Sequence, residues 1–265
     1  MDNVEQFIDN LHLEDLKNEL HPSVFDENEG YDMLIIRLPS ITKELQNISH
    51  GFIITPEQSF MYNSKEKRFE VLSDRFEAVH TTIDKMVDEV LKSFMKYQDL
   101  TAQMEDVLYQ NMNTHDFIKK WLRLKLEISK IERTMLRASE TISMFIDYNR
   151  DAKEFPLNHY ADLHEHIDRS MRYATLQLLK LNDLYSFYNA KTNDKMNRMI
   201  YILTIISAIF LPMHLIVGFF GMNTSGLPFT SGTIGTSNVL LLMLVLMILT
   251  SLIVYRWRKK VENKS

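Results

Sequence analysis

The segment from Met199 to Asn223 reads MIYILTIISAIFLPMHLIVGFFGMN, and it opens a stretch, 199–255, with no Asp, Glu, Lys or Arg in a chain that is 25% charged. The uncharged stretch is too long for one buried helix. It divides at the polar loop 223–237 into two apolar runs, 199–222 and 238–257. Each is about 20 residues or more, enough to cross a hydrocarbon layer ~30 Å thick at ~1.5 Å rise per residue. The spacing therefore predicts two transmembrane helices near the C-terminus, in a multi-pass membrane protein.

Basic residues set the expected orientation. Lys191, Lys195 and Arg198 precede the first run, and Arg256, Arg258, Lys259 and Lys260 close the second, while the loop between them carries no charge. Cytoplasmic flanks collect Lys and Arg, so both termini are expected in the cytoplasm and the loop outside. The N-terminal residues are polar and offer no basic-then-apolar pattern, so no cleaved signal is expected.

The net charge of −5 conceals an asymmetry, because Glu262 is the only acid after Arg198 and five of the 30 basic residues follow it. Residues 1–198 thus hold 34 acidic against 25 basic side chains. An acidic soluble part is a poor nucleic-acid binder and a plausible neighbour of cations. With no cysteine, thiolate metal sites and Cys nucleophiles are excluded. No phosphate loop or paired nucleophile and base is present, so no enzyme activity and no resident cofactor are expected.

Upstream of the spans, residues 71–198 contain no glycine and a single proline, Pro156. Three helical segments count out there, at about 74–112, 114–150 and from 157 onward, with Asn158 or Asp162 as candidate starts of the last. In the second, Trp121, Leu124, Ile128, Ile131, Met135, Ala138, Ile142 and Phe145 alternate steps of three and four, the seam of packed helices. No breaker lies between Ala161 and Phe210, so the third helix is expected to run unbroken into the first span, with Pro212 inside it. Residues 1–70 read as a small α/β unit. Val4–Leu20 suggests a short helix. Strands are suggested at 33–38, ended by Pro39, at 51–55, ended by Pro56, and at 59–62. The expected division is 1–70 cytoplasmic α/β unit, 71–198 helical bundle and stalk, and 199–265 membrane hairpin with a basic tail.

The segment 203–223, with its LTII–IF–P core, Gly218 three residues before Gly221, and Gly221-Met222-Asn223 at the outer end, resembles the first transmembrane helix of the CorA family of divalent-cation transporters. Asn197 fits the family's asparagine upstream of that core. Tyr31–Pro39 and Gly51–Thr55 resemble family segments more loosely.

The resemblance implies an α+β membrane protein that assembles as a homopentameric funnel in lipid, in a bacterial inner (plasma) membrane, its first spans lining one pore. Asn197, Ile200, Leu203, Leu211, His214 and Gly218 would face that pore. Asn223, with Gly221 and Met222, would form the outer selectivity ring. Ile200, Leu203 and Leu211 would form an apolar gate. The implied cargo is a divalent cation driven by the membrane potential: Mg²⁺ first, then Co²⁺ or Ni²⁺.

Three departures stand out. Phe220 replaces the usual Tyr before Gly221. The loop Thr224–Phe229 lacks the acid of the magnesium members and looks closer to the zinc-transporting ZntB branch. His214 occupies a position where a small hydroxyl residue is common. An imidazole there could favour Zn²⁺ or Ni²⁺ or carry protons, or could equally be packed between helices and satisfied by a carbonyl. A ZntB-like Zn²⁺ transporter and a non-conducting scaffold or sensor of the same fold are the alternative functions. His159, His164 and His166 read as surface histidines that share no face, and Asp162, Asp183 and Asp194 as a solvated face.

Overall fold

The computed structural model describes residues 4–41, 45–110, 116–222 and 234–262. By compactness the chain divides into two units, Met1–Phe187 and Tyr188–Ser265.

The first unit begins with a 3-10 turn, Val4–Gln6, and a short helix, α1 (Asn10–Lys17). Asp9 caps α1 by accepting the Leu11 N–H at 2.8 Å, one of the orphan donors of a helix start. Five strands follow as a meander: β1 (Val24–Asn28), β2 (Tyr31–Ile41), β3 (Leu45–Ile54), β4 (Ser59–Asn63) and β5 (Arg68–Val71). Every neighbouring pair is antiparallel, in the order β1-β2-β3-β4-β5.

The run Met33–Ile36 is uniformly apolar because both faces of β2 are covered. Met33 and Ile35 join Val4, Ile8, Leu16, Ile53 and Phe60 in a cluster under α1. Alternation turns Leu34 and Ile36 to the other face, where two long helices, α2 (Glu77–Tyr109) and α3 (Phe117–Asn149), pack on β2. Gly51 is the close approach on the α1 side: a Cβ there would collide with the Leu16 side chain.

One expectation is corrected here. Pro39 does not end β2, which continues to Ile41. Beyond Ile35, β2 pairs with β3 alone, because β1 stops at Val24; that portion is an edge, where a missing N–H is tolerated. The strands β1 and β5 escape a reading by apolar runs because each has only two apolar residues (VFDEN and RFEV).

The predicted seam is the core of the bundle. Ile83, Val90, Tyr97 and Leu108 of α2, and Leu124, Ile128, Ile131, Met135, Ala138, Ile142 and Phe145 of α3, are buried. Helix α4 (Leu157–Phe220) follows Pro156 and continues without interruption for 64 residues, passing through Pro212. The expectation that the last helix of the bundle runs into the first apolar span therefore holds. Its start is Leu157 rather than Asn158 or Asp162, with the Pro156 carbonyl accepting the His159 N–H at 3.0 Å and the Tyr160 N–H at 3.2 Å. Proline with its fixed φ is well suited to a helix entry.

The second unit contains the end of α4 and a further helix, α5 (Gly235–Glu262). Both are long and apolar enough to cross a membrane, and the most apolar 18-residue window of each has no buried residue. Leu203, Leu211, Leu215, Leu241 and Leu249 are all exposed. So wide an apolar surface marks an interaction face, for lipid or for other protein.

Candidate ion pathway

Asn197, Ile200, Leu203, Leu211, His214 and Gly218 all lie on α4. At about 100° per residue they fall within an arc of about 120°, one face of the helix. All six are exposed in the single chain. The same arithmetic adds a residue that the sequence reading passed over. Ser207 sits midway between Leu203 and Leu211, four residues from each, and is exposed on the same face. The eight-residue gap in the pattern was the available signal. The stripe thus runs amide, two aliphatics, hydroxyl, aliphatic, imidazole, glycine.

The His214 ring is anchored by its own helix. Its Nδ1 lies 3.0 Å from the Phe210 carbonyl oxygen. A carbonyl only accepts, so Nδ1 carries the proton in this contact. In the neutral ring Nε2 is then left with its lone pair, the form that accepts hydrogen bonds or ligates a metal. Thr204 makes a comparable bond back to the Ile200 carbonyl at 2.8 Å.

At its C-terminal end α4 stops at Phe220. The Gly221 N–H bonds to the Val217 carbonyl at 2.8 Å, and the Met222 N–H reaches the Phe219 carbonyl at 3.4 Å. A Cβ on Gly221 would lie 2.9 Å from that Val217 oxygen, so glycine lets the chain turn tightly here. Gly218 differs: a Cβ added there meets nothing within 4 Å. Asn223 and the loop 224–233, which carry the expected selectivity ring and the ZntB-like loop character, lie outside the described residues.

Of the three histidines expected on a solvated surface, His159 is exposed, while His164 and His166 are only partly so. His159 and His166 are seven residues apart and do share a face of α4; only His164 points elsewhere. The His166 ring stands between Asp84 of α2, at 3.4 Å, and Asp162, at 3.7 Å. His164 Nε2 lies 3.1 Å from the Ser139 hydroxyl, which itself donates to Asp168 at 2.6 Å. His159 Nδ1 is 2.9 Å from both Glu77 carboxylate oxygens. Heptad spacing between two of the three was the overlooked clue.

Several known proteins share this organisation. The chain is 22% identical to the cobalt/magnesium transport protein CorA of Thermotoga maritima over 94% of its own length and 76% of that protein's. Its fold superposes on the CorA magnesium transporter from Methanocaldococcus jannaschii with a TM-score of 0.75 at 18% identity, covering 95% of this chain and 84% of that one. The ZntB cytoplasmic domain from Vibrio parahaemolyticus is more distant, with a TM-score of 0.54 at 10% identity over 72% of this chain and 82% of that one. The CorA-like Mg²⁺ transporter protein family matches residues 4–260, and this chain belongs to that family.

Proposed function

We propose that several copies of this chain, five by resemblance, enclose a pore that carries divalent metal cations across the membrane. The observation that carries the reading is the stripe on α4, which lines up Asn197, Ile200, Leu203, Ser207, Leu211, His214 and Gly218 on one exposed face. Two spans from one chain cannot enclose an ion path, and closed rotational symmetry is the usual way to build one from copies.

The chemistry suits a hydrated dication. Mg²⁺ gives up its waters reluctantly. A ring of Asn223 carbonyl oxygens could accept hydrogen bonds from those waters without stripping them. Neutral amides also avoid trapping the ion, and conduction requires release as much as capture. Asn197 repeats the amide at the cytoplasmic end. Ile200, Leu203 and Leu211 form apolar constrictions, which can close by dewetting. No chemical fuel is needed, since a doubly charged ion gains roughly 4.6 kcal/mol on crossing 100 mV.

Mg²⁺ is the first candidate cargo, with Co²⁺ and Ni²⁺ beside it. A second reading, Zn²⁺ transport in the manner of the ZntB branch, with or without proton coupling, is favoured by one observation. With Nδ1 held by the Phe210 carbonyl, the His214 lone pair on Nε2 is a ligand for borderline metals rather than for Mg²⁺. The acid-free loop Thr224–Phe229, which resembles that branch, leans the same way.

Flux into liposomes holding the purified protein, measured separately for Mg²⁺, Zn²⁺, Co²⁺ and Ni²⁺, tests both readings. Potential-driven flux of at least one ion, reduced at least tenfold by Asn223→Ala, is the expected result. A His214→Thr protein should shift preference from Zn²⁺ toward Mg²⁺ under the second reading and leave it unchanged under the first. No flux of any of the four ions would turn the assignment toward a non-conducting scaffold or sensor.

A further inference from the structure

Helices α2 and α4 each begin with a histidine in the first turn, His80 and His159, and Glu77 lies beside both. One potential ligand atom from each of the three residues falls within 4.8 Å of the other two. His159 Nδ1 is 2.9 Å from the Glu77 carboxylate, and the His80 and His159 rings are 5.4 Å apart between centroids. His80 is the inner member, with its side chain 13% exposed against 47% for Glu77 and 57% for His159. Its Nδ1 is buried and has no hydrogen-bond partner among the described residues. The Glu77 Oε1 atom stands 4.0 Å from that nitrogen, too far for a hydrogen bond.

An ion pair between Glu77 and His159 accounts for only part of this arrangement. Exposed pairs of that kind contribute little, and the pair leaves the buried His80 nitrogen unsatisfied. A metal ion would satisfy all three groups. Ligand atoms around a tetrahedral ion at ~2.1 Å lie about 3.4 Å apart, so separations of up to 4.8 Å need to close by at most about 1.4 Å. Glu77 and His159 are exposed enough to swing that far. Two imidazoles and one carboxylate make a donor set for Zn²⁺, Co²⁺ or Ni²⁺, whereas Mg²⁺ prefers an all-oxygen shell. The two helix starts turn their positive dipole ends toward the site. Their field opposes a metal cation. The Glu77 charge offsets it, as does Asp74, whose carboxylate accepts the Ala78 N–H at 2.9 Å on the same turn.

We propose that Glu77, His80 and His159 bind one transition-metal dication of the Zn²⁺, Co²⁺ or Ni²⁺ class, joining the first turn of α2 to the first turn of α4, with water completing the coordination shell. Binding requires the coordinating nitrogen of each imidazole to present its lone pair to the ion. This site is wholly within the first unit and separate from the α4 stripe, so it stands or falls independently of ion transport.

The test uses the full-length protein in detergent, stripped with chelator and titrated with Zn²⁺ in excess Mg²⁺, alongside a His214→Ala control that separates any metal held at the stripe. The wild-type and the control proteins should each bind one Zn²⁺ per chain that His159→Ala lacks. Glu77→Gln should weaken that equivalent at least about tenfold, as loss of a ligand or its close partner does. At the same Zn²⁺ concentration the melting temperature of the wild type should rise more than that of Glu77→Gln. Loading with Co²⁺ should give a visible ligand-field spectrum that both substitutions remove. Should His159→Ala fold poorly, Glu77→Gln, which alters only a half-exposed side chain, supplies the decisive measurement. Equal Zn²⁺ stoichiometry and equal thermal response in the wild type and in Glu77→Gln would overturn the proposal, and so would an equivalent response to Mg²⁺ alone.

Discussion

The Trp121 indole lies stacked on the Tyr185 ring, centroids 4.4 Å apart and planes 20° from parallel, and its Nε1–H donates to the Leu181 carbonyl at 2.8 Å. Lys125 adds its ammonium 4.8 Å from the indole centroid. This arrangement fastens α3 to α4 near the far end of the bundle from the sheet. Aromatic pairs contribute about 0.5–1.5 kcal/mol beyond their area, and large-to-small changes at well-packed aromatics cost about 3–5 kcal/mol. Because Trp121 is only partly buried, Trp121→Ala should destabilise the first unit by about 2–3 kcal/mol. A double-mutant cycle with Tyr185→Ala should return a coupling near 1 kcal/mol. Strict additivity of the two substitutions in denaturant melts would show that the stack contributes nothing of its own.

Gly51 and Leu16 impose a second constraint. A Cβ on Gly51 would collide with the Leu16 side chain, while the Leu16 backbone stays at ordinary contact distance, 3.6 Å. The side chain must therefore leave its place in the cluster under the sheet. Overpacking of this kind costs about 1–3 kcal/mol. Gly51→Ala should lower stability by that amount, and Leu16→Ala placed on top should cost less than it does in the wild-type background. If Gly51→Ala melts like the wild type, α1 rides loosely on the sheet and the register of that contact is not selective.

The pH response of the first unit has a component from His50, half-buried on β3. Burial holds its pKa below the ordinary imidazole value. Above the unfolded-state value of about 6.5 neither state binds the proton, and the contribution to stability is complete. As pH falls below that value the unfolded chain takes up a proton that the folded chain resists. Stability is therefore lost until the depressed folded pKa is reached. His50→Gln should remove this loss, so its melting temperature should decline less between pH 7 and pH 5 than that of the wild type. Superimposable pH slopes for the two proteins would contradict the assignment.

The long-range order of this chain was legible where one physical term dominates. Fifty-seven uncharged residues admit few structures besides membrane helices, and sustained three-four spacing through α3 dictated its buried face before any contact was known. Legibility failed where partners come from elsewhere in the chain. The strands β1 and β5 are short, with two apolar residues each, so they are defined by register with β2 and β4 more than by any apolar run of their own. His159 looked solvated along its own helix because the groups that approach it, Glu77 and His80, are about eighty residues away in sequence. Ser207 was missed because hydroxyls carry no hydrophobic signal, although its position on the α4 stripe follows from angle alone.

Gly218 offers the most direct test of assembly. Within one chain nothing lies within 4 Å of a Cβ added at this position, and its place in the last turn of α4 before Phe220 requires no special backbone shape. Alanine is favoured over glycine in a helix interior by about 1 kcal/mol, so a solitary protomer would gain slightly from Gly218→Ala. Glycine is of use at this point if the helix of another copy approaches closely, as small residues permit in membrane packing. Gly218→Leu should then leave helix content by circular dichroism unchanged, diminish the cross-linked oligomer, and reduce ion flux at least tenfold. Gly218→Ala should be intermediate. A Gly218→Leu protein that assembles and conducts like the wild type would place this face of α4 against lipid, and the pore stripe would have to be sought on the opposite side of the helix.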